Sequence, residues 1–369
     1  MRRVPLLFGL LYLTAGAAVA APPLGLPPVP IPADNPQTPE KIALGDRLFH
    51  DKRFSADGKV ACATCHAREK AFTDRKPVSE GFNNLTGTRN APTVINAAYM
   101  KTLFWDGREP DLEGQSKQPF INPVEGGLPN HDPLLDVIRK DAEYVKAFKQ
   151  VFGVAAKDID MDHVAKAIAS FERTIISGDS PFDRFMYGGE QDALNESEKR
   201  GLAVFTGKGR CVSCHVIEQT QAQFTDNRFH NIGVGFKKIQ GKEFETARAL
   251  LASKKAGTSV DVTVLTKENM SELGRFAVTE NFTEVGAFKT PTLRNIDLTA
   301  PYMHDGSLET LEDVVEFYNN GGRLKETDPL SPFLSGGIRP LDLTEQEKED
   351  LVAFMKALTS PDIAKVASK

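Results

Sequence analysis

Cysteine is scarce in this sequence, with four residues in a chain of 369. All four fall within two short motifs, so none is left for the separate disulfide framework on which small exported domains depend. Tryptophan is scarcer still, and Trp105 is the single example. Apolar residues make up 40% of the chain, which is enough to build sizeable cores.

An excess of basic charge is also missing. Lysine and arginine total 45 against 50 aspartates and glutamates, which gives a formal net charge of −5. Nucleic-acid binding needs clustered basic side chains that neutralise phosphates, so this composition argues against nucleic acid as a partner. A basic redox protein is compatible with the mildly acidic charge.

Long apolar runs are missing after the N-terminal residues 1–20. Within that segment Arg2 and Arg3 precede an apolar run, and residues 18–20 have the small-x-small form of a cleavage site. A retained membrane anchor is the alternative, but the run is short for a spanning helix and the proline-rich stretch 22–32 follows directly. The sequence therefore predicts a signal peptide over 1–20, a periplasmic location and no membrane span in the mature chain.

The two cysteine motifs are both Cys-x-x-Cys-His, at residues 62–66 and 211–215. Two thiols at this spacing form thioethers to one edge of a porphyrin, and the adjacent histidine ligates the iron. A redox pair or a zinc site is the alternative for one copy, but zinc needs four ligands and the chain has no further cysteine. We therefore predict two covalent haem c groups, held by Cys62, Cys65, His66, Cys211, Cys214 and His215.

The surroundings of the two motifs repeat. Apolar pairs that end in Phe49 and Phe205 precede them, and a Phe-Thr-Asp triplet follows each, at 72–74 and 224–226. Similarity at a regular offset is the signature of an internal duplication, here of two cytochrome c-like haem domains. The predicted boundaries are 21–176 for the N-terminal domain, 177–192 for the linker and 193–369 for the C-terminal domain, with a charged insertion at about 238–275.

Apolar periodicity predicts an all-α fold. Residues 159–176 carry apolar side chains at i+3 and i+4 spacing, and residues from about 134 to 152 are also expected to be helical. Pro39 suits the first turn of a helix, and Thr344 with Glu347 forms a capping box for the last one.

The two halves differ where a second iron ligand is expected. Trp105 stands at the repeat position of His304. Fourteen residues further on, Tyr318 in the second half is matched by Pro119, which has no atom that ligates iron. Tyr318 is a candidate ligand of the second haem, although a core tyrosine is the plainer interpretation, and Met303 is a rival ligand.

The loop after the first motif, residues 67–89, lacks a conventional strong ligand. The sequence has no histidine between His66 and His131, and no methionine between His66 and Met100. An iron with one protein ligand and a free face binds peroxide or another small molecule. The first haem is therefore predicted to be open.

With these residues the chain resembles the bacterial di-haem cytochrome c peroxidases and the related di-haem maturase of methylamine utilisation, over about 40–359. Both haem motifs contribute to the resemblance. The other segments are Arg89-Asn90-Ala91-Pro92-Thr93, Phe104-Trp105-Asp106-Gly107-Arg108, Asn122-Pro123-Val124-Glu125, Leu293-Arg294-Asn295 and Pro301-Tyr302-Met303-His304-Asp305-Gly306.

The resemblance implies roles for individual residues. Trp105 corresponds to the electron bridge between the haems, while Gln115 and Glu125 line the open face of the first haem. Glu125 is the implied acid/base for peroxide cleavage. The resemblance also implies one calcium ion between the domains, at Asn90 and at the main-chain oxygens of Thr299 and Pro301.

Two departures favour the maturase-like branch. Phe82 stands where many of these peroxidases have a removable distal histidine, and Tyr318 stands where they have methionine. We predict a peroxidase that reduces hydrogen peroxide, with a c-type cytochrome, a cupredoxin or a protein substrate as electron donor. A homodimer is the candidate assembly. The alternatives are a maturase that oxidises one partner protein, and a di-haem electron-transfer cytochrome without peroxide chemistry.

Overall fold

The computed structural model describes residues 21–325 and 327–367, so the predicted signal peptide lies outside the described residues. The chain is mostly helical, which confirms the all-α prediction. The α-helices are α1 Pro39–His50, α2 Cys62–Cys65, α3 Leu112–Gln115, α4 Gln118–Ile121, α5 Asp132–Lys140, α6 Ala142–Phe152, α7 Met161–Glu172, α8 Pro181–Tyr187, α9 Glu196–Thr206, α10 Glu243–Lys255, α11 Val260–Thr266, α12 Glu268–Ser271, α13 Phe276–Thr279, α14 Leu311–Asn319, α15 Glu345–Lys356 and α16 Pro361–Ala367.

Among the described residues, strand structure is limited to one short antiparallel pair. Strand β1, Phe229–His230, pairs with β2, Phe288–Lys289, in the register Phe229 opposite Lys289. In the part of the chain that the structure describes, no helix is long and apolar enough to cross a membrane.

The helix starts follow the capping chemistry of the sequence. Thr38 Oγ1 accepts a hydrogen bond from the N–H of Lys41, and Pro39 follows it in the first turn of α1. At α15, the N–H of Thr344 donates to Glu347 Oε2 at 2.7 Å, and the N–H of Glu347 donates to Thr344 Oγ1 at 3.3 Å. The predicted capping box is confirmed, but the helix that it starts is not the last one, because α16 follows it.

The helical structure predicted over 134–152 is confirmed, and it takes the form of two helices, α5 and α6. Asp141 has an extended backbone (φ −90°, ψ 113°) between α5 and α6. Its carboxylate accepts hydrogen bonds from the N–H groups of Glu143 and Tyr144, which starts α6 afresh. A side-chain cap at Asp141 therefore divides the stretch into two helices.

Each half has a core built around one close helix crossing. Helix α1 packs on α7, and α9 packs on α15. A Cβ added to Gly45 would lie 1.9 Å from the carbonyl oxygen of Ala167, and one added to Gly201 would lie 1.9 Å from that of Asp350. Both crossings therefore require glycine, and the two halves share this packing.

The stretch 177–192, predicted as the linker, contains helix α8. Phe182 on this helix is fully buried in the second core, and Asp183 forms a buried ion pair with Arg294 at 2.8 Å. The segment therefore packs firmly against the second half. The domain boundaries themselves stay a prediction.

The charged insertion at about 238–275 forms helices α10 to α12. Together with α13 they build a third apolar cluster, and this cluster includes Val124 from the first half. Its buried members are Val124, Phe236, Ile239, Ala247, Leu250, Val264, Leu265, Leu273, Phe276, Ala277 and Val285. The insertion thus lies against the segment that contains Glu125.

Candidate active site

The first haem motif forms a single helical turn, α2, followed by His66. The imidazole Nδ1 of His66 lies 3.2 Å from the carbonyl oxygen of Phe72. A carbonyl oxygen only accepts, so Nδ1 carries the proton and Nε2 keeps a free lone pair. Burial lowers the pKa of His66, which keeps the ring neutral and suited to bind iron.

The second motif repeats this arrangement on a 3₁₀ turn, Cys211–Ser213. Nδ1 of His215 lies 2.8 Å from the carbonyl oxygen of Phe224, and burial lowers the pKa of His215 as well. Phe72 and Phe224 belong to the Phe-Thr-Asp triplets that revealed the duplication. Both histidines are therefore held in the same tautomer by equivalent main-chain oxygens.

A cavity of about 530 Å³ opens above the second motif. Apolar side chains supply most of its wall, and Cys211, Cys214 and His215 line it together. All four cysteines are free of disulfide bonds. A cavity of this kind, with two thiols and one ligating imidazole at its edge, fits a haem c.

The two candidate sixth ligands both face this cavity. Tyr318 lines it from α14, together with Leu311, Val314 and Val315 of the same helix. Met303 lines it from a loop in which its backbone is left-handed (φ 74°). The cavity wall thus includes a phenol and a thioether.

Trp105 lies at the junction of the two halves. Its indole Nε1 donates to the main-chain oxygen of Asn90 at 2.9 Å. Its own carbonyl oxygen accepts from the N–H of Lys289, on β2, at 2.8 Å. Trp105 also lines the cavity of the second motif.

The predicted acid/base residue, Glu125, lies on a tight turn near the first motif. Its carbonyl oxygen accepts from the N–H of Phe82 at 2.7 Å, and its carboxyl Oε2 is buried without a hydrogen-bond partner in the structure. Burial raises the pKa of Glu125 to about 8. Burial also raises the pKa of Cys65, to about 11, and the nearby Glu125 adds to this rise. The carboxyl group is therefore within electrostatic reach of the haem motif.

Glu172, on α7, is a second buried carboxyl group close to the first motif, and the sequence analysis missed it. Its Oε2 also lacks a hydrogen-bond partner, and burial raises its pKa to about 8. Glu172 adds to the burial-driven rise in the pKa of Cys62. Glu172 could not be recognised from the sequence, because it ends a helix with regular apolar spacing and belongs to no motif.

Gln115 is the last residue of α3 and is half-buried. The three residues suggested for calcium, Asn90, Thr299 and Pro301, all line the cavity and come from both halves of the chain. The amide Nδ2 of Asn90 donates to the carbonyl oxygen of Lys76 at 2.9 Å, so its amide oxygen is the atom suited to a metal. Amide and main-chain oxygens are ligands that calcium prefers.

His304, which stands at the repeat position of Trp105, is a buried hydrogen-bonding residue. Its Nε2 lies 2.8 Å from a carboxylate oxygen of Glu272, and its ring stacks on Phe288 with 3.6 Å between centroids. Lys238 holds the other oxygen of Glu272 at 2.9 Å. Lys238 and Glu272 both belong to the insertion.

A buried ion-pair network beside Trp105 was not expected from the sequence. Asp106 is fully buried and binds Arg89 at 2.6 Å and Arg108 at 2.9 Å. Arg108 in turn binds Asp261 of the insertion at 2.6 Å. The motif segments 89–93 and 104–108 contained the two arginines, but no pattern indicated the partner in the insertion.

Comparison with known proteins agrees with this geometry. The family model described as di-haem cytochrome c peroxidase matches residues 39–191. Cytochrome-c peroxidase IdrP1 of Pseudomonas sp. (strain SCT) is 39% identical, over 94% of this chain and 88% of its own. The chain belongs to the di-haem cytochrome c peroxidase family. As a member of this family it is an oxidoreductase of the peroxidase type, and the family implies two haem c groups.

The relatives in this family include proteins named as methylamine utilization proteins as well as proteins named as peroxidases. Methylamine utilization protein MauG of Methylorubrum extorquens is 36% identical, over 91% of this chain and 83% of its own. Among solved structures, a MauG-like protein associated with microbial copper homeostasis is 35% identical, with a TM-score of 0.77 and coverage of 94% of this chain and 97% of that protein. The chain is thus similar to peroxidases and to MauG proteins of the family.

Proposed function

We propose that this protein is a periplasmic di-haem peroxidase that reduces hydrogen peroxide in its N-terminal half. The observation that supports this most is the buried, unpartnered carboxyl group of Glu125 near the first haem motif. When bound, the first haem supplies an iron with an open face for peroxide and a route for the electrons. Two electrons and two protons convert one hydrogen peroxide into two waters.

The residues around the open face of the first haem have different roles. His66 would ligate the iron of the first haem, and Phe82, which lies against the turn of Glu125, has no atom that ligates iron. Glu125 accepts a proton from one peroxide oxygen and returns it to the other, which assists cleavage of the O–O bond. A pKa of about 8 suits a group that must both accept and donate near neutral pH. Gln115 helps to orient the peroxide.

Trp105 passes electrons between the two haem sites. It combines an easily oxidised indole with a position at the junction of the two halves. We assign the sixth ligand of the second haem to Tyr318, whose phenolate would lower the potential and stabilise Fe(III). Asn90, Thr299 and Pro301 hold one calcium ion between the halves.

The electron donor is a small redox protein, a c-type cytochrome or a cupredoxin. The second candidate function is oxidation of one specific partner protein, as in a maturase. Phe82 and Tyr318 favour it, because both residues depart from the pattern of the reductively activated peroxidases. Peroxide cleavage at Glu125 is common to both functions.

Substitution of Glu125 tests the proposal. Stopped-flow mixing of the Fe(III) protein with hydrogen peroxide should show that Glu125→Gln slows the spectral change of the haems about 100-fold. Glu80→Gln, an exposed glutamate in the loop after the first motif, is the matched control and should react at the wild-type rate. A slow Glu172→Gln variant beside a fast Glu125→Gln variant would assign the proton transfer to the other buried carboxyl group.

Spectra of the oxidised protein test the electron-transfer alternative. A high-spin component is expected from the open first haem. Two low-spin haems that do not react with peroxide would instead indicate a simple electron carrier. Size-exclusion chromatography with light scattering tests the proposed homodimer.

A further inference from the structure

The insertion of the second half lies against the loop segments of the first half that contain Glu125. Val124, the neighbour of Glu125, belongs to the apolar cluster that the insertion builds. The hydroxyl of Thr88 donates to the carbonyl oxygen of Val264, on α11, at 2.6 Å. A segment without a counterpart in the first half therefore packs against the first half next to Glu125.

Asp261, at the start of α11, joins the insertion to the first half through its side chain. It is 6% exposed, and one of its carboxylate oxygens accepts from Nη2 of Arg108 at 2.6 Å and from Nε at 3.0 Å. The other oxygen accepts a hydrogen bond from the side-chain amide of Asn122, which is fully buried. Both carboxylate oxygens of Asp261 therefore accept hydrogen bonds from residues of the first half.

Asn122 is the centre of the turn that holds Glu125. Its side-chain oxygen accepts from the N–H of Val124 at 3.1 Å, and its main-chain oxygen accepts from the N–H of Glu125 at 3.1 Å and from that of Gly127 at 2.9 Å. These bonds lie within the turn. The bond to Asp261 is the one that ties the Asn122 side chain to the insertion.

We propose that the insertion is part of the peroxide site, and that Asp261 is a positioning residue that holds the turn of Glu125 through Asn122. This inference rests on the proposed role of Glu125. It assigns a function to the insertion: α11 from the second half sets the geometry and the charge around the acid/base group of the first half.

The charged groups that face Glu125 come from two elements. Burial is the main cause of its raised pKa, Asp261 of the insertion raises the pKa further, and Arg108 lowers it. Cys62 and Cys65 also face it, but as thioethers they hold no charge. Replacing Asp261 with a neutral group removes the negative neighbour and one of the two ion pairs of Arg108, which keeps its pair with Asp106. The carboxylate form of Glu125 is therefore favoured.

Asp261→Asn tests the charge. Infrared spectroscopy of the resting Fe(III) protein follows the carboxylic-acid band that Glu125→Gln removes, without any turnover. The midpoint of its titration is expected to fall by about one pH unit in Asp261→Asn. Glu268→Gln, an exposed acid of the same insertion, is the control and should leave the midpoint in place. An unchanged midpoint in Asp261→Asn overturns the inference.

Asn122→Ser tests the hydrogen bond. Serine still accepts from the N–H of Val124, but it is too short to reach Asp261, whose pair with Arg108 remains. The variant should fold, as judged by circular dichroism, and should react with peroxide about tenfold more slowly than the wild type at a pH where Glu125 is ionised. A wild-type rate overturns the inference. This variant decides alone where Asp261→Asn does not fold.

The two proposals fail in different ways. A Glu125→Gln variant that reacts at the wild-type rate removes Glu125 from the chemistry, and the infrared midpoint then decides whether Asp261 still controls the state of Glu125. A slow Glu125→Gln variant, together with an unchanged midpoint in Asp261→Asn, leaves the proposed function intact and removes the role of the insertion.

Discussion

The indole N–H of Trp105 donates to the main-chain oxygen of Asn90, with 2.9 Å between the two atoms. The N–H of Asn90 donates in turn to the carbonyl oxygen of His304 at 2.8 Å. Trp105 and His304 occupy equivalent repeat positions, so one asparagine joins the two equivalent loops. The orientation of the indole is therefore set by both halves of the chain.

Trp105→Phe should separate the two haem sites electronically. Phenylalanine fills much of the same space but lacks the N–H donor and is far harder to oxidise. We expect the spectral change of the first site after peroxide addition to keep its rate, and that of the second site to slow at least about tenfold. Stopped-flow spectroscopy resolves the two. Equal slowing at both sites would point to a structural role instead.

Tyr318→Met and Met303→Leu together identify the sixth ligand. Replacing a phenolate with a thioether should raise the reduction potential of the second haem on the order of 0.1 V, because thioethers favour Fe(II). Met303→Leu should leave the potential and the EPR spectrum of that haem unchanged. Redox titration of both variants is the measurement, and the reverse pattern would assign the ligand to Met303.

The peroxide reaction should speed up as the pH rises through about 8. Burial raises the pKa of Glu125 to about 8, and only the carboxylate form accepts a proton. The same shift makes ionisation of Glu125 unfavourable to folding, so its contribution to stability is lost as the pH rises from about 4.5 to about 8. Stopped-flow rates across this range test the first expectation. A profile without this rise, or one that Glu125→Gln retains, contradicts it.

Gly201→Ala should destabilise the second half. The added methyl group would lie 1.9 Å from the carbonyl oxygen of Asp350, so α9 and α15 must separate. We expect the free energy of unfolding to fall by about 2 kcal/mol. Gly336→Ala, where a Cβ would meet no atom within 4 Å, is the matched control. Denaturant unfolding followed by circular dichroism measures both variants.

Local chemistry explains why much of the fold could be predicted. Helix starts such as the capping box of Thr344 and Glu347 depend on residues three positions apart. The break at Asp141 is equally local, because the carboxylate of Asp141 caps the start of α6. The helical structure over 134–152 could thus be predicted, and its division into two helices depends on one capping residue.

The sequence by itself determined the haem attachment motifs, the duplication and the helical class, because each depends on spacings of a few residues or on repeats of such spacings. Only the tertiary structure decided that Asp261 meets Asn122, from which it is separated by 139 positions, and that Glu172 lies buried near Cys62. Contacts of this kind arise when distant segments pack together. Their free energy depends on burial and on the positions of charged groups in three dimensions. The spacing of residues along the chain predicts neither.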